Sequence, residues 1–286
     1  MYQITADSAC DIKQDILAEW NVCYRPLTLK FEGDDTLYAD DSIDAPEFYG
    51  KMRDGAVAKT QAVNTEAFVS LFEPFLAEGK DILHLGFSSG LSNTYNSARI
   101  AAEKLSEKYP DRKIITIDTL QASAGFGLIL YLTSKKQKEG TTLEEAATYA
   151  REIAPITCAW FTVDDLVYLK RGGRISATTA FVGNALGIKP VMHVDNEGHL
   201  INRFKVRGRK TAVASLADQY GKLARDLSGG TVFICHGDCI KDVELLSDLL
   251  KERYGASVDL VTYTGPVIGS HSGPGTLALF FLGKER

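Results

Sequence analysis

Through the first 155 residues, short apolar runs alternate with segments of helical hydrophobic period, and this alternation restricts the fold more than any other feature of the chain. Gln3 to Ala6, Ile82 to Gly86 and Lys113 to Asp118 are strand-like, and Val22 to Phe31 reads as extended. Between them the spacing predicts helices from Asp11, a plausible N-cap, to Trp20, and from Pro46 to Arg53. Further helices are predicted after Asn64, with Phe68, Leu71, Phe72 and Phe75 on one face, and over 93–108, 122–138 and 143–154. Strands that alternate with helices at this spacing argue for a parallel sheet covered on both faces.

After Pro155 the pattern changes. Thr157 to Val163 is strand-like, Asp165 to Lys170 helix-like, and Ala177 to Leu186 is predicted helical. Pro190 to Val194 and His199 to Val206 flank Asp195-Asn196-Glu197-Gly198, a hairpin signal. Helices are predicted over 209–226 and 241–254, with strands before and after the second, and the tail from Thr276 to Leu282 is a final strand. The expected class is α/β in two domains: a parallel-sheet N-terminal domain over 1–155 and a mixed α/β C-terminal domain over 156–286.

The chain has 286 residues, 45% hydrophobic and 24% charged, enough to bury a large core. It has no apolar run of bilayer length, and Met1 to Asp7 lacks the basic-then-apolar form of a signal peptide, so a cytoplasmic location is expected. The net charge of −5 argues against general nucleic-acid binding. The charge is uneven, however: from Asp165 to Lys210 nine basic residues face three acidic ones, a net of +6, which leaves −11 for the rest. That segment is either a solvated basic face or a docking patch for an acidic partner, a phosphate or anionic lipid.

Five scattered cysteines argue against a disulfide framework. Cys235-His236-Gly237-Asp238-Cys239 lacks the spacing and the second cluster of a zinc site, and reads instead as strand end, turn and helix start, so no metal is expected. Gly86-Phe87-Ser88-Ser89-Gly90 satisfies the nucleophile-elbow pattern of serine hydrolases, with Asp238 or Asp259 and His271 following in the right order. Against an esterase built on Ser88 and His271, Gly90-Leu91-Ser92 intervenes before helical spacing begins, and no oxyanion segment stands upstream. His84 reads as a core or sheet-edge histidine, His193 and His199 as surface residues beside the hairpin, and Trp20 and Trp160 as packing.

Several segments together resemble the DegV family of bacterial fatty-acid-binding proteins. Ala6-Asp7-Ser8-Ala9-Cys10-Asp11-Ile12 is similar to its opening motif, and Ser88 to Ala98 to its S-S-x-L-S-G-T-Y-x-S-A. Leu169-Lys170-Arg171-Gly172-Gly173-Arg174-Ile175-Ser176, then Lys189-Pro190 and Lys205-Val206-Arg207, match in order, and His271-Ser272-Gly273-Pro274-Gly275 resembles the closing H-x-G-P-G. The resemblance implies a two-domain α/β protein holding one long-chain fatty acid between its domains, without a cofactor and without catalysis of its own. It also implies a partner, a cytosolic kinase that phosphorylates the bound carboxylate to an acyl phosphate. Carried over by motif, the carboxylate-binding residues are Thr60, Ser92 and His271, with Asn93 beside them in place of the family's glycine. A second alternative to the carrier, beside the esterase, is a small-molecule subunit like the substrate-binding half of dihydroxyacetone kinases.

On the carrier reading, hydroxyls of Thr60 and Ser92 donate to the carboxylate, and His271 donates in either its neutral or its charged form. Each buried methylene contributes about 0.8 kcal/mol, so a tail of roughly fourteen supplies on the order of 11 kcal/mol before ordering costs. Candidate wall residues are Phe126, Leu128, Ile129, Phe181, Ile188, Leu277, Leu279 and Phe280. Arg174, after paired glycines, is expected at the head group or pocket mouth; Arg203, Lys205, Arg207 and Arg209 are expected to face the kinase or an anionic membrane.

Overall fold

The structure is a computed structural model that describes residues 1–176 and 187–286. The predicted helix over 177–186, and Phe181 within it, lie outside the described residues. Four parallel strands form the first sheet, in the order Val22–Arg25, Tyr2–Asp7, Asp81–Gly86, Ile114–Asp118. The chain leaves Tyr2–Asp7 toward one edge and Asp81–Gly86 toward the other, so the two central strands meet at a topological switch point. Crevices for ligands open at the carboxyl ends of strands at such points.

Six strands form the second sheet, in the order Leu200–Arg207, Ile188–Val194, Thr157–Thr162, Leu277–Leu282, Val232–His236, Leu260–Tyr263. All pairs are antiparallel except the last. The tail strand is thus central, bonded on both sides. Its alternation divides its side chains between two faces. Leu277, Leu279 and Phe281 pack with the helices Arg209–Leu223 and Ile240–Tyr254, whereas Ala278 and Phe280 face the core shared with the first sheet.

The helix Ser123–Lys138 fills the space between the sheets. Every residue from Ser123 to Leu130 is buried, the mark of a helix with apolar surroundings on all sides. Gly125 permits that fit, since a Cβ there would stand 2.7 Å from the Phe280 ring. Asn64 caps the helix Thr65–Ala77 by accepting from Ala67 N at 2.9 Å, and Pro46 lies in the first turn of Ala45–Arg53, both as the sequence predicts.

Three expectations change. Asp11 does not cap a helix from its own position: it adopts a left-handed conformation (φ 54°), and the helix begins only at Gln14. Val22 to Phe31 is two strands, since Pro26 lacks an N–H and interrupts the ladder. The second of them, Thr28–Phe31, joins a third sheet with Tyr38–Ala39 and Ala58–Gln61 that the sequence pattern did not announce. Third, His193 is buried: its strand is flanked on both sides, its Nδ1 bonds Ala159 O at 3.0 Å, and its ring stacks on Trp160 at 4.4 Å. His84 is a core histidine between Phe68 and Phe72, and burial alone lowers its pKa to about 3.

The face assignment of the tail strand is testable by urea denaturation. Leu279→Ala, which empties space against the two helices, is expected to lower stability by about 3 kcal/mol with an unchanged denaturant slope.

Candidate functional site

A cavity of about 180 Å³, measured as the space open to the centre of a water molecule, lies beyond the switch point. One wall is the inner face of the six-stranded sheet, contributing Ala159, Phe161, Val194, Cys235, Ala278 and Phe280. The turn after Gly86 brings Phe87, Leu91, Ser92 and Asn93, and the helix Pro266–Ser272 brings Val267, Ile268 and His271. Of the predicted wall residues that are described, only Phe280 is among those that line it. Phe126, Leu128 and Ile129 are fully buried in the helix between the sheets, Leu277 and Leu279 point to the far face, and Ile188 lies away from the cavity. Apolar character was legible, but which face each residue presents was not: strand parity turns Leu277 and Leu279 away, and the helix of Phe126, Leu128 and Ile129 is enclosed on all sides.

The five residues predicted near the head group do converge. Thr60, Ser92, Asn93, Arg174 and His271 all line this cavity. Thr60 stands on the strand Ala58–Gln61, and its Oγ1 shares a hydrogen bond of 2.8 Å with His271 Nε2. His271 is in the last turn of a seven-residue helix rather than in a loop, with Pro266 in the first turn and Gly273 (φ 81°) ending it. Ser92 Oγ accepts from Thr94 N at 3.2 Å and bonds the Thr94 hydroxyl at 2.9 Å, so it sits just before the helix Thr94–Lys108.

Arg174 reaches the site from the opposite side. Its Nε and Nη2 donate to Leu91 O at 3.1 and 3.0 Å, and its Nη1 donates to Gly172 O. Among the described residues it has no carboxylate partner. Burial and the Arg174 charge together lower the pKa of His271 to about 4, so the imidazole is neutral at pH 7. Its Nδ1 has no hydrogen-bond partner among the described residues, and it lies against Gly172, where a Cβ would be 2.0 Å away. Gly172 is thus required by close approach.

The hydrolase arrangement is absent. Ser88 is buried, its hydroxyl donates to Gly198 O at 2.9 Å, and it accepts from Gly90 N. It clasps the hairpin tip onto the Gly86–Ser92 turn, while His271 is engaged with Thr60. Among the described residues no group of three or more His, Cys, Asp or Glu side chains is arranged to hold a metal. Cys235 lines the cavity with its Sγ bonded by Ser123 and Thr264, and burial raises its pKa to about 12.

Arg203, Lys205 and Arg207 lie on the edge strand of the large sheet, outside the cavity lining, and make no ion pair among the described residues. Arg209 differs from them. It bonds Asp242 Oδ2 and Gly275 O at 3.0 and 2.6 Å and lies 3.6 Å from Asp164, so it braces the turn after His271. Asp7 is a contribution that spacing missed: its carboxylate accepts from Ala9 N and, across the switch point, from Phe87 N at 2.9 Å. The signal was its place in the opening motif.

A family model described as "Uncharacterised protein, DegV family" matches residues 1–284. The chain belongs to the DegV family. A DegV domain-containing protein of Clostridium perfringens is 42% identical over 288 residues, spanning 100% of this chain and 98% of its own length. Among solved structures, a DegV lipid-binding protein from Thermotoga maritima superposes with a TM-score of 0.87 at 30% identity, covering 100% of both chains. A stearic acid-binding protein from Eubacterium ventriosum does so with a TM-score of 0.89 at 26% identity, covering 99% of each. The α/β architecture with one parallel and one mixed sheet is that of DegV structures.

The neutral state of His271 gives a pH prediction. Its folded pKa near 4 lies below the unfolded value of about 6.5, so on acidification the unfolded chain takes the proton first. This contribution to stability is complete above pH 6.5 and falls away by pH 4, at most about 3 kcal/mol. In the ligand-free protein the His271 ring resonances are expected to stay fixed from pH 8 to about 5.5 in NMR titration.

Proposed function

We propose that this DegV protein binds one long-chain fatty acid in the cavity and presents its carboxylate to a partner kinase for acyl-phosphate formation, without catalysing a reaction itself. The observation that carries the reading is a mainly apolar cavity whose lining includes Thr60, Ser92, His271 and an Arg174 guanidinium that lacks a carboxylate partner among the described residues. A half-buried cation held only by carbonyl oxygens is costly unless an anion completes it, and a fatty acid supplies that anion on an apolar tail. The likeness to the Thermotoga maritima lipid-binding protein and to the Eubacterium ventriosum stearic acid-binding protein supports the reading. A small polyol ligand, as in dihydroxyacetone kinases, has no matching set of polar groups along Phe87, Phe161, Leu169 and Phe280.

In this reading Ser92 and Thr60 donate to the carboxylate oxygens, and neutral His271 gives its single ring proton from Nε2 to the Thr60 hydroxyl, which leaves that hydroxyl's own proton for the ligand. Asn93, exposed at the mouth, narrows the approach to the head group. Arg174 neutralises the carboxylate and, after transfer, the acyl phosphate. The free charges of Arg203, Lys205 and Arg207 form the surface that the kinase, or an anionic membrane during ligand collection, engages. No helix among the described residues is long and apolar enough to cross a membrane, and the protein is proposed to act in the cytoplasm.

Native mass spectrometry of the purified protein, then extraction after denaturation, tests the binding step. A stoichiometric fatty acid released on unfolding is the expected result; an apoprotein that also refuses added hexadecanoic acid overturns it. Ser92→Ala and Arg174→Ala are each expected to weaken hexadecanoic acid binding about tenfold, the loss of one charge-assisted hydrogen bond. Arg203→Glu with Arg207→Glu should leave that affinity unchanged but reduce both kinase turnover and adsorption to anionic vesicles. Unchanged turnover and adsorption would remove the docking role.

A further inference from the structure

We propose that Asp40 is a positioning residue for the head-group site, setting where His271 stands relative to Thr60. The inference rests on the fatty-acid reading above. Asp40 directly follows the strand Tyr38–Ala39 of the small sheet, and it is buried. Its Oδ1 accepts from Val267 N at 2.8 Å, at the start of the helix Pro266–Ser272. Its Oδ2 accepts from Ser8 Oγ at 2.7 Å, and that hydroxyl accepts in turn from Leu27 N at 3.0 Å. Asp40 N closes the circuit by donating to Leu27 O at 2.9 Å.

The helix has no cap from its own sequence: Gly265 stands at the N-cap and Pro266 has no N–H, so the first free amide is that of Val267. Asp40 supplies the missing acceptor from another sheet. Val267 and His271 are four residues apart, hence on one face of the helix and one turn distant along it. The small sheet therefore grips this helix at two levels: Asp40 holds Val267, and Thr60 meets His271 at 2.8 Å. Thr60 belongs to the same small sheet, through the pairing of Ala58–Gln61 with Thr28–Phe31. The Tyr49 hydroxyl steadies the approach by donating to Thr264 O at 2.7 Å.

A seven-residue helix has little stability of its own, so its placement is decided by such ties. Burial raises the pKa of Asp40 to about 6, and no cation pairs with it among the described residues. An apolar side chain would avoid that cost. What the carboxylate provides instead is a fixed distance between the two groups that meet the ligand's head.

The test uses the full chain, delipidated, at pH 7.5, with Asp40→Ala, Asp40→Asn and, as a destabilised control remote from the site, Leu279→Ala. Dissociation constants are measured for hexadecanoic acid and for hexadecan-1-ol, which share the tail but not the carboxylate. Asp40→Ala is expected to weaken the acid about tenfold, while the alcohol changes less than about twofold. Asp40→Asn retains the acceptor for Val267 and should restore the wild-type ratio, and Leu279→Ala should leave the ratio intact. An acid-to-alcohol ratio unchanged in Asp40→Ala overturns the proposal. Should that variant fail to fold, Ser8→Ala, which frees one carboxylate oxygen, is expected to raise the ratio of dissociation constants about threefold, and an unchanged ratio is again fatal. If the wild type binds neither ligand, the fatty-acid reading itself fails. The placement is then read from the ring resonances of ligand-free His271, which Asp40→Ala is expected to shift and which, unshifted, refute it.

Discussion

Everything at the site depends on the register of the strand Leu277–Leu282. It is bonded on both edges, Leu279 opposite Trp160 on one side and Ile234 on the other, and a slip of one residue would turn all its side chains to the wrong face. Leu277, Leu279 and Phe281 lock it to the two outer helices, which leaves Ala278 and Phe280 to the cavity. Since His271 precedes this strand by only a short turn, the core fixes the site's imidazole. Arg209 tightens the same turn by holding Gly275 O and facing Asp164.

Burial then decides the chemistry. Three histidines, His84, His193 and His271, have pKa values lowered to about 3, 4 and 4, mainly by desolvation, yet only His271 opens onto the cavity. Its neutrality suits a donor beside an anion that Arg174 neutralises. A charged imidazole next to that guanidinium would be repelled from it. The cavity lining brings together one half-buried cation, one neutral imidazole and two hydroxyls, a set better suited to the proposed recognition of a carboxylate than to activating a nucleophile. Ser88, which the motif offers as a nucleophile, is consumed in fastening the hairpin tip.

Much of the fold was legible because local rules held. Alternating strands and helices announced a parallel sheet, Asn64 and Pro46 marked helix starts, and Asp195 to Gly198 marked a hairpin. That Thr60, Ser92, Arg174 and His271 line one cavity was legible only through the order of short motifs, since they are far apart in the chain and no spacing rule joins them. The misreadings share a physical origin. The small third sheet pairs strands of two and four residues across long loops, too short for periodicity to show. His193 looked exposed beside its hairpin because a sequence does not show that another strand lies on each side of it.

By itself, the sequence determined the class of fold, the helix starts at Asn64 and Pro46, the apolar inventory of the core and the family to which the chain belongs, because these follow from periodicity, capping and ordered motifs within short windows. Only the tertiary structure decided which apolar residues line a cavity, that Arg209 is a brace while Arg203, Lys205 and Arg207 make no ion pair among the described residues, and that Asp40 grips the helix of His271. Each of these turns on contacts between segments remote in the chain. Their geometry is set by sheet order and strand parity, quantities that exist only once the chain has closed on itself.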